Sequence, residues 1–309
     1  MCEKRCARGP GVGGVVDFLV HTPPGSPAFL LAESFLAAVT ESGADDRSWR
    51  LVERGADPGV EAMTALVGNA GNPDMIATAT PVIIQNPLLR NLDLTHRDLT
   101  PLSRLVGDRY LLVVRSHSRF ATAEDFLAGI REKPTRTAGY FVGGINHLLG
   151  LAIAEKTGAE IAFVLVDTEP EIFAALAAGE IDWAVGVPAE TLPRIRSGDF
   201  RALAVLDSER IAGLPDLATL AEAGTNVMFR LWRGLIGPPG LTADQTAHWL
   251  AVVAAARQTD SWRAYLADNV QTDDPLDGPA FGTFLETEWD WYAKHLGLAG
   301  LIPGSRDSG

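Results

Sequence analysis

The chain has 309 residues, 47% hydrophobic and 21% charged, a globular composition on a chain longer than the ~250–300 residues at which one core stops growing, so two lobes are expected. Lysine and arginine total 26 against 39 aspartates and glutamates, and the resulting charge of -13 excludes nucleic acid and anionic membrane as main partners, because both demand a basic surface. A small anion is not excluded, since a local set of donors holds it whatever the net charge.

Residues 1–14 read as a flexible leader. Cys2 and Cys6 both lie there with no apolar h-region behind them, so no signal peptide, metal site or disulfide framework is legible. Gly9, Gly11 and Gly14 have the G-x-G-x-x-G spacing but follow no strand and open no helix, which removes the dinucleotide reading. No apolar run reaches the length of about 18 residues that a membrane-spanning helix needs.

A strand over 15–20 leads into His21-Thr22-Pro23-Pro24-Gly25-Ser26-Pro27, where Ser26 can cap a helix over 28–39 that has Pro27 at its start. Phe29, in the first turn, faces either the core or whatever the corner holds. A strand over 49–53, a helix over 58–67 opened by Pro58 and a strand over 74–79 ending in Thr78-Ala79-Thr80-Pro81 continue a β-α-β-α-β order. That order is the signature of a doubly wound parallel α/β sheet, whose ligands gather beyond the carboxyl ends of the strands. The corners at 24–29 and 78–81 are two such ends.

A strongly apolar strand over 110–115 is followed by a helix over 122–131 and a strand over 135–141, which runs into Gly139-Tyr140-Phe141-Val142-Gly143-Gly144-Ile145-Asn146-His147. Its glycines permit φ > 0 and close approach of a ligand, Asn146 suits an N-cap, and the free N–H groups of a helix start suit a carboxylate. The same features fit a capped loop that binds nothing. A second α/β series follows: helix 146–157, strand 161–166, helix 170–178, strand 181–185, helix 189–197 and strand 202–206, its helices stopped by Gly158, Gly179 and Gly198. The chain rejoins the first series near 228–236 and ends in helices over 242–258, 261–269 and 279–296.

The six histidines are scattered without metal-ligand spacing, there is no P-loop or G-x-S-x-G elbow, and the body has no cysteine nucleophile. Ser26 and His147 lie at loops where a ligand could bind, yet neither has an evident third partner for a hydrolase triad. No catalytic residue, metal or cofactor is therefore expected.

Several segments, in this order and spacing, resemble the extracytoplasmic solute receptors of tripartite tricarboxylate transporters, the Bug proteins, over roughly 15–302. Pro24-Gly25-Ser26 stands where that family has a Pro-Gly-Gly loop, and 139–147 matches its Gly-rich segment ending in Asn-His. Ala177-Ala178-Gly179-Glu180-Ile181-Asp182, Leu192-Pro193 with Arg201-Ala202-Leu203-Ala204-Val205, Leu214-Pro215-Asp216 and Trp232-Arg233-Gly234 continue the match.

The resemblance implies a two-lobed α/β periplasmic-binding-protein fold, type II, each lobe a doubly wound mainly parallel sheet. Lobe 1 would be 15–112 plus 229–309 and lobe 2 would be 113–228, closing on a small organic carboxylate. It further implies a monomeric periplasmic receptor that delivers its ligand to membrane transporter subunits, with no nucleic-acid partner. The ligand-binding residues would be Pro24, Gly25, Ser26, Phe29 and Thr80 on one side, with Tyr140, Phe141, Gly143, Gly144, Asn146, His147, Thr168 and Asp182 on the other. Asp182 could equally cap the turn after Gly179.

This chain departs from the pattern where Phe29 replaces a commonly acidic residue and where Tyr140 and Phe141 replace small hydroxyl residues. Gly186-Val187-Pro188 also lacks the usual donors. Bulk in place of hydrogen-bonding groups favours a ligand with an aromatic or alkyl body. A signalling sensor, an effector-binding lobe pair or a hydrolase would be the other uses of such a chain.

Overall fold

A computed structural model describes residues 14–302 except 58 and 212, so the expectations for the leader and for Pro58 lie outside the described residues. In chain order the elements are β1 (Val15–Val20), α1 (Pro27–Ser42), β2 (Ser48–Glu53), α2 (Val60–Val67), β3 (Met75–Ala79), α3 (Val82–Arg90), β4 (Thr100–Arg109) and β5 (Leu111–Arg115). Then come α4 (Ala123–Glu132), β6 (Thr135–Gly139), α5 (Ile145–Thr157), β7 (Ile161–Leu165), α6 (Glu169–Ala178), β8 (Ala184–Gly186), α7 (Pro188–Arg196) and β9 (Phe200–Val205). The chain closes with β10 (Arg230–Gly237), α8 (Ala243–Ala256), α9 (Asp260–Asp268), β11 (Asp273–Asp277) and α10 (Pro279–Leu298). Among the described residues no helix is long and apolar enough to cross a membrane.

Helix α1 illustrates why these segments fold as they do. Ser26 has extended backbone angles and its Oγ accepts the Phe29 N–H at 3.3 Å, while Pro27 occupies the first turn and Gly43, at φ 63°, ends the helix in the left-handed region. Its buried side chains, Leu31, Ala32, Phe35, Ala38 and Val39, recur at helical spacing. They pack with Phe18, Trp249 and Trp262.

The first sheet has the order β11-β4-β10-β3-β1-β2. β2, β1 and β3 pair parallel, whereas β10 runs antiparallel to both β3 and β4, and β11 runs antiparallel to β4. A second group comprises β8-β5-β9, with β5 antiparallel to both neighbours, and the parallel pair β6-β7. The sheets are thus mixed, with parallel pairing confined to β1, β2, β3 and to β6 with β7. The Asp182 N–H donates to the Arg136 carbonyl at 2.9 Å and the Asn146 amide to the Val185 carbonyl at 3.1 Å, which tie β6, β8 and α5 together.

Only Tyr110 separates β4 from β5, and the chain returns through 206–229. These two crossings lie side by side: the Leu206 N–H donates to the Tyr110 carbonyl at 2.8 Å and the Phe229 N–H to the Leu206 carbonyl at 3.1 Å. β4 points the same way as β1, β2 and β3 and runs on past their carboxyl ends, since Ala79 lies opposite Gly234 and Gly234 opposite Arg104, while β8 and β9 end opposite Leu111, the residue after Tyr110. Ring contacts of Phe229 with Tyr110 at 5.8 Å and Trp291 at 5.2 Å carry one apolar core past the crossings.

One buried carboxyl sits in that core. Glu288 on α10 accepts the Trp232 indole N–H at 2.8 Å, and burial pushes its pKa up to about 7 from 4.5 despite that bond. Because the folded-state value is raised, the associated stability is fully present below pH 4.5 and is lost as pH rises through about 7. Glu288→Gln, which keeps an acceptor for Trp232 without the charge, should therefore be more stable than the parent at pH 8 by about 1–3 kcal/mol, with the gap closing toward pH 5 in urea unfolding.

Candidate ligand site at the strand ends

The first corner is built where β1 and β3 end. His21 is wholly buried, and its Nδ1 lies 3.1 Å from the Thr78 carbonyl and 2.8 Å from Thr78 Oγ1, with Nε2 2.9 Å from Thr80 Oγ1. A carbonyl can only accept, so Nδ1 carries the proton and Nε2 accepts the Thr80 hydroxyl. Burial lowers the His21 pKa to about 4, so the ring is neutral at physiological pH and brings no positive charge to the corner.

Ser26 donates to Thr22 Oγ1 at 2.6 Å while accepting the Phe29 N–H. The hydroxyl protons of Ser26 and Thr80 are therefore spent inside the protein, and the donor left over is the Thr22 hydroxyl. Pro24 and Gly25 form the exposed tip of the loop, with Gly25 at φ 83°. Phe29 is half-buried against the α1 core, not standing free in the corner.

Two residues outside the expected ligand-binding set join this corner. Thr22 is one. Arg54 is the other, one position beyond β2: its N–H donates to the Val20 carbonyl at 2.7 Å, and the following Gly55 packs on the Thr22 backbone. Among the described residues the Arg54 Nε is buried without a hydrogen-bond partner, and its Nη1 pairs with Glu61 at 3.4 Å. A cation at the carboxyl end of the second predicted strand was the available signal.

The second corner follows β6. The helix start differs from expectation: α5 begins at Ile145 with Gly144 as N-cap, and Asn146 is buried inside the first turn with its amide on Val185. The Gly143 N–H is taken by His147 Nδ1 at 3.0 Å and the Gly144 N–H by the Phe141 carbonyl at 3.2 Å. Both glycine donors thus serve the loop itself, and the helix-start donors are the N–H groups of Ile145, Asn146 and His147, which have no acceptor within the helix. Gly143, at φ 87°, lies under Leu301 of the C-terminal segment.

Tyr140 and Phe141 project from this loop, 39% and 42% exposed, their rings edge-to-face at 4.8 Å. Thr168 is the exposed N-cap of α6, and its side chain makes no capping bond. Asp182 sits at the other end of β6 from Tyr140, accepting the Arg136 N–H at 2.8 Å and pairing with its guanidinium at 3.5 Å. That arrangement spends Asp182 on the fold.

Two glutamates stand in the first turns of neighbouring helices in the chain, α6 and α7. Glu169 opens α6, and Glu190, in the first turn of α7, accepts the Val187 N–H at 3.2 Å. Burial, and then the charge of Glu169, push the Glu190 pKa up to about 8. Burial, followed by the negative charge of Glu169 and Glu190, raises the Tyr110 and Tyr140 pKa values as well.

Two cavities of about 530 and 580 Å³ lie elsewhere, beside the carboxyl end of β5. Arg115, Phe173 and Arg194 line the first, Ile195 and Leu214 the second. Among the described residues no three His, Cys, Asp or Glu side chains are grouped to hold a metal ion.

The sequence model of the tripartite tricarboxylate transporter family receptor matches residues 56–274. A UPF0065 protein of Bordetella pertussis is 25% identical over 169 residues, 54% of this chain and 52% of that protein. The chain spans about half the length of the curated relatives it matches. Among solved structures, a solute-binding protein of this receptor type from Polaromonas superposes with TM-score 0.86 at 22% identity, over 91% of this chain and 97% of that one. An R. palustris protein solved with adipate superposes with TM-score 0.69 at 22% identity, over 93% and 97%. At such identities the structural likeness carries the fold.

Proposed function

The chain belongs to the tripartite tricarboxylate transporter receptor family, and from that premise we propose that it is a periplasmic receptor, not an enzyme, which captures a small organic carboxylate between two lobes for a membrane transporter. The lobes are 15–112 with 229–302, and 113–228. The observation that carries the reading is that helices α1 and α5 both start just past strand carboxyl ends, those of β1 and β6. Oriented backbone N–H groups and the positive end of the helix dipole favour an anion there.

The carboxylate is received by the first corner, through the Thr22 hydroxyl and Arg54. Tyr140 and Phe141 cover the ligand's apolar body, which fits an aromatic or alkyl acid better than a short polar diacid. The crossings at 110 and 206–229 are the hinge.

A thermal-shift screen of mono- and dicarboxylates tests this, because binding stabilises by about 2.7 kcal/mol at a hundred times Kd. Aromatic or alkyl acids should raise the melting temperature, and a screen in which no acid does so would rule the receptor reading out. In the same assay Arg54→Gln should weaken the best acid roughly ten- to hundredfold, as loss of a charge-assisted hydrogen bond predicts. Its melting temperature without ligand should stay close to that of the parent.

A further inference from the structure

We propose that the cavity bounded by α6, α7 and the carboxyl end of β5 is a second binding site, which takes a rod-shaped organic dianion with an acid group at each end and an apolar body between. The inference does not depend on the receptor reading above. β5 leaves the crossing at Leu111, and Arg115, on the cavity, lies four residues further on, about 13 Å at the rise of a strand.

The cavity holds about 530 Å³, a volume within the range of small-molecule sites. One wall is α6, whose residues Pro170, Phe173, Ala174 and Ala177 share a helix face, and the two alanines leave the space beside them open. Arg194, in the last turn of α7, and Arg115, at the end of β5, supply the charge. The buried Phe173 and Phe200 rings, 6.2 Å apart, give the apolar surface.

The two arginines bring positive charge that the protein does not cancel, in a chain where acids outnumber bases. Among the described residues neither guanidinium pairs with a carboxylate. Arg194 lies 4.7 Å over the Phe173 ring and donates to the Glu190 backbone carbonyl at 2.6 Å, which leaves most of its five N–H groups free. Asp199 also lines the cavity, where its carboxylate accepts the Ser197 hydroxyl at 2.6 Å.

Arg115 is seated against bare backbone. Gly179 ends α6 at φ 80°, and a Cβ added there would collide with Arg115 Nη1. The carbonyl end of the α6 dipole attracts that cation without supplying a full counter-charge. Glycine at this position therefore does more than stop the helix, because it makes room for the guanidinium.

The spacing of the cations selects the ligand. One guanidinium lies over Phe173 and the other against Gly179, six residues later, so they stand roughly 9 Å apart along the α6 axis. Each fork suits one carboxylate, and the rings between them suit an apolar body. A neutral ligand would leave both guanidiniums unpaired, and a monoanion would leave one.

Titration calorimetry of the full chain with terephthalate, and with its monomethyl ester as the monoanion of the same shape, tests the proposal. Arg115→Gln and Arg194→Gln should each weaken one terephthalate binding event about tenfold or more and shrink its advantage over the ester. Arg54→Gln, at the first corner, should leave that event unchanged. Ala174→Trp fills the cavity without touching either charge and should abolish the same event, so the result does not hang on how an arginine variant folds.

Terephthalate that does not bind, or that binds equally to the parent, both arginine variants and Ala174→Trp, would overturn the second site. Weakening by Arg54→Gln alone would overturn it too, and would assign the dianion to the first corner in support of the receptor reading.

Discussion

Asp207→Ala is expected to cost about 3–5 kcal/mol of folding stability, the usual penalty for leaving buried cations without their counter-ion. Asp207 is 2% exposed and lies just past β9, at the return crossing. Its carboxylate accepts from Arg230 Nε at 2.6 Å and Nη2 at 3.1 Å, and lies 3.4 Å from Arg109 Nε. Arg230 and Arg109 belong to adjacent strands of the first sheet, where they are register partners. The ion cluster therefore links the end of β9 in the second group to the first sheet, and Glu209 extends it by accepting from Arg109 at 2.9 Å.

Burial alone would raise the Asp207 pKa, but the Arg230 hydrogen bonds hold it below its ordinary value. Its contribution is thus present above pH 3.8 and fades as pH falls below that. Urea unfolding at pH 7 and pH 3 checks both parts: a large gap between parent and variant at neutral pH, and a smaller one in acid.

Gly143→Ala should cost about 2–5 kcal/mol, from two separable causes. At φ 87° an L side chain pays roughly 1–2 kcal/mol, and the added Cβ would stand 2.5 Å from Leu301 Cδ1, an overpacking worth about 1–3 kcal/mol. Gly158→Ala is the control, because that glycine has φ 70° with open space around it and should pay the backbone cost alone. Pairing Gly143→Ala with Leu301→Ala in a double-mutant cycle should recover about 1–2 kcal/mol, the steric part. A coupling of zero would mean that the C-terminal segment does not seat on the loop.

Much of the α/β order was legible because strand and helix periods, caps and glycine stops agree along the chain, as at Ser26, Gly158 and Gly179. Residues 82–109 were not read, and the reasons are local. Helix α3 carries Pro87 in its interior, and β4 buries Arg104 and Asp108, whose charges break the apolar pattern. What makes those charges tolerable is remote in sequence: Asp274, 2.8 Å from Arg104, and Arg233, 3.3 Å from Asp108. β11 is likewise an acidic segment that reads as a loop until Arg104, Arg230 and Arg257 are seen to pair with it. β8 starts at Ala184, not at 181, because the Asp182 and Trp183 N–H groups are drawn to the Arg136 carbonyl.

At the site, the glycine loop and the Pro-Gly-Ser corner were legible from residue type. Where their donors point was not, since His147 taking the Gly143 N–H and Ser26 donating to Thr22 are outcomes of side-chain geometry. Glu169 and Glu190 stand 21 positions apart in the first turns of α6 and α7, and that the charge of Glu169 helps to raise the Glu190 pKa is not legible from either position alone. A glutamate just before a proline, read alone, is a solvated helix start.

The most direct measurement is a crystal structure of the protein grown with the acid that stabilises it most. The account predicts ligand density between the Thr22–Arg54 corner and Tyr140, its carboxylate on the Arg54 side. Density only in the outer cavities beside Arg115 and Leu214, with the space between the corners holding solvent alone, would contradict it.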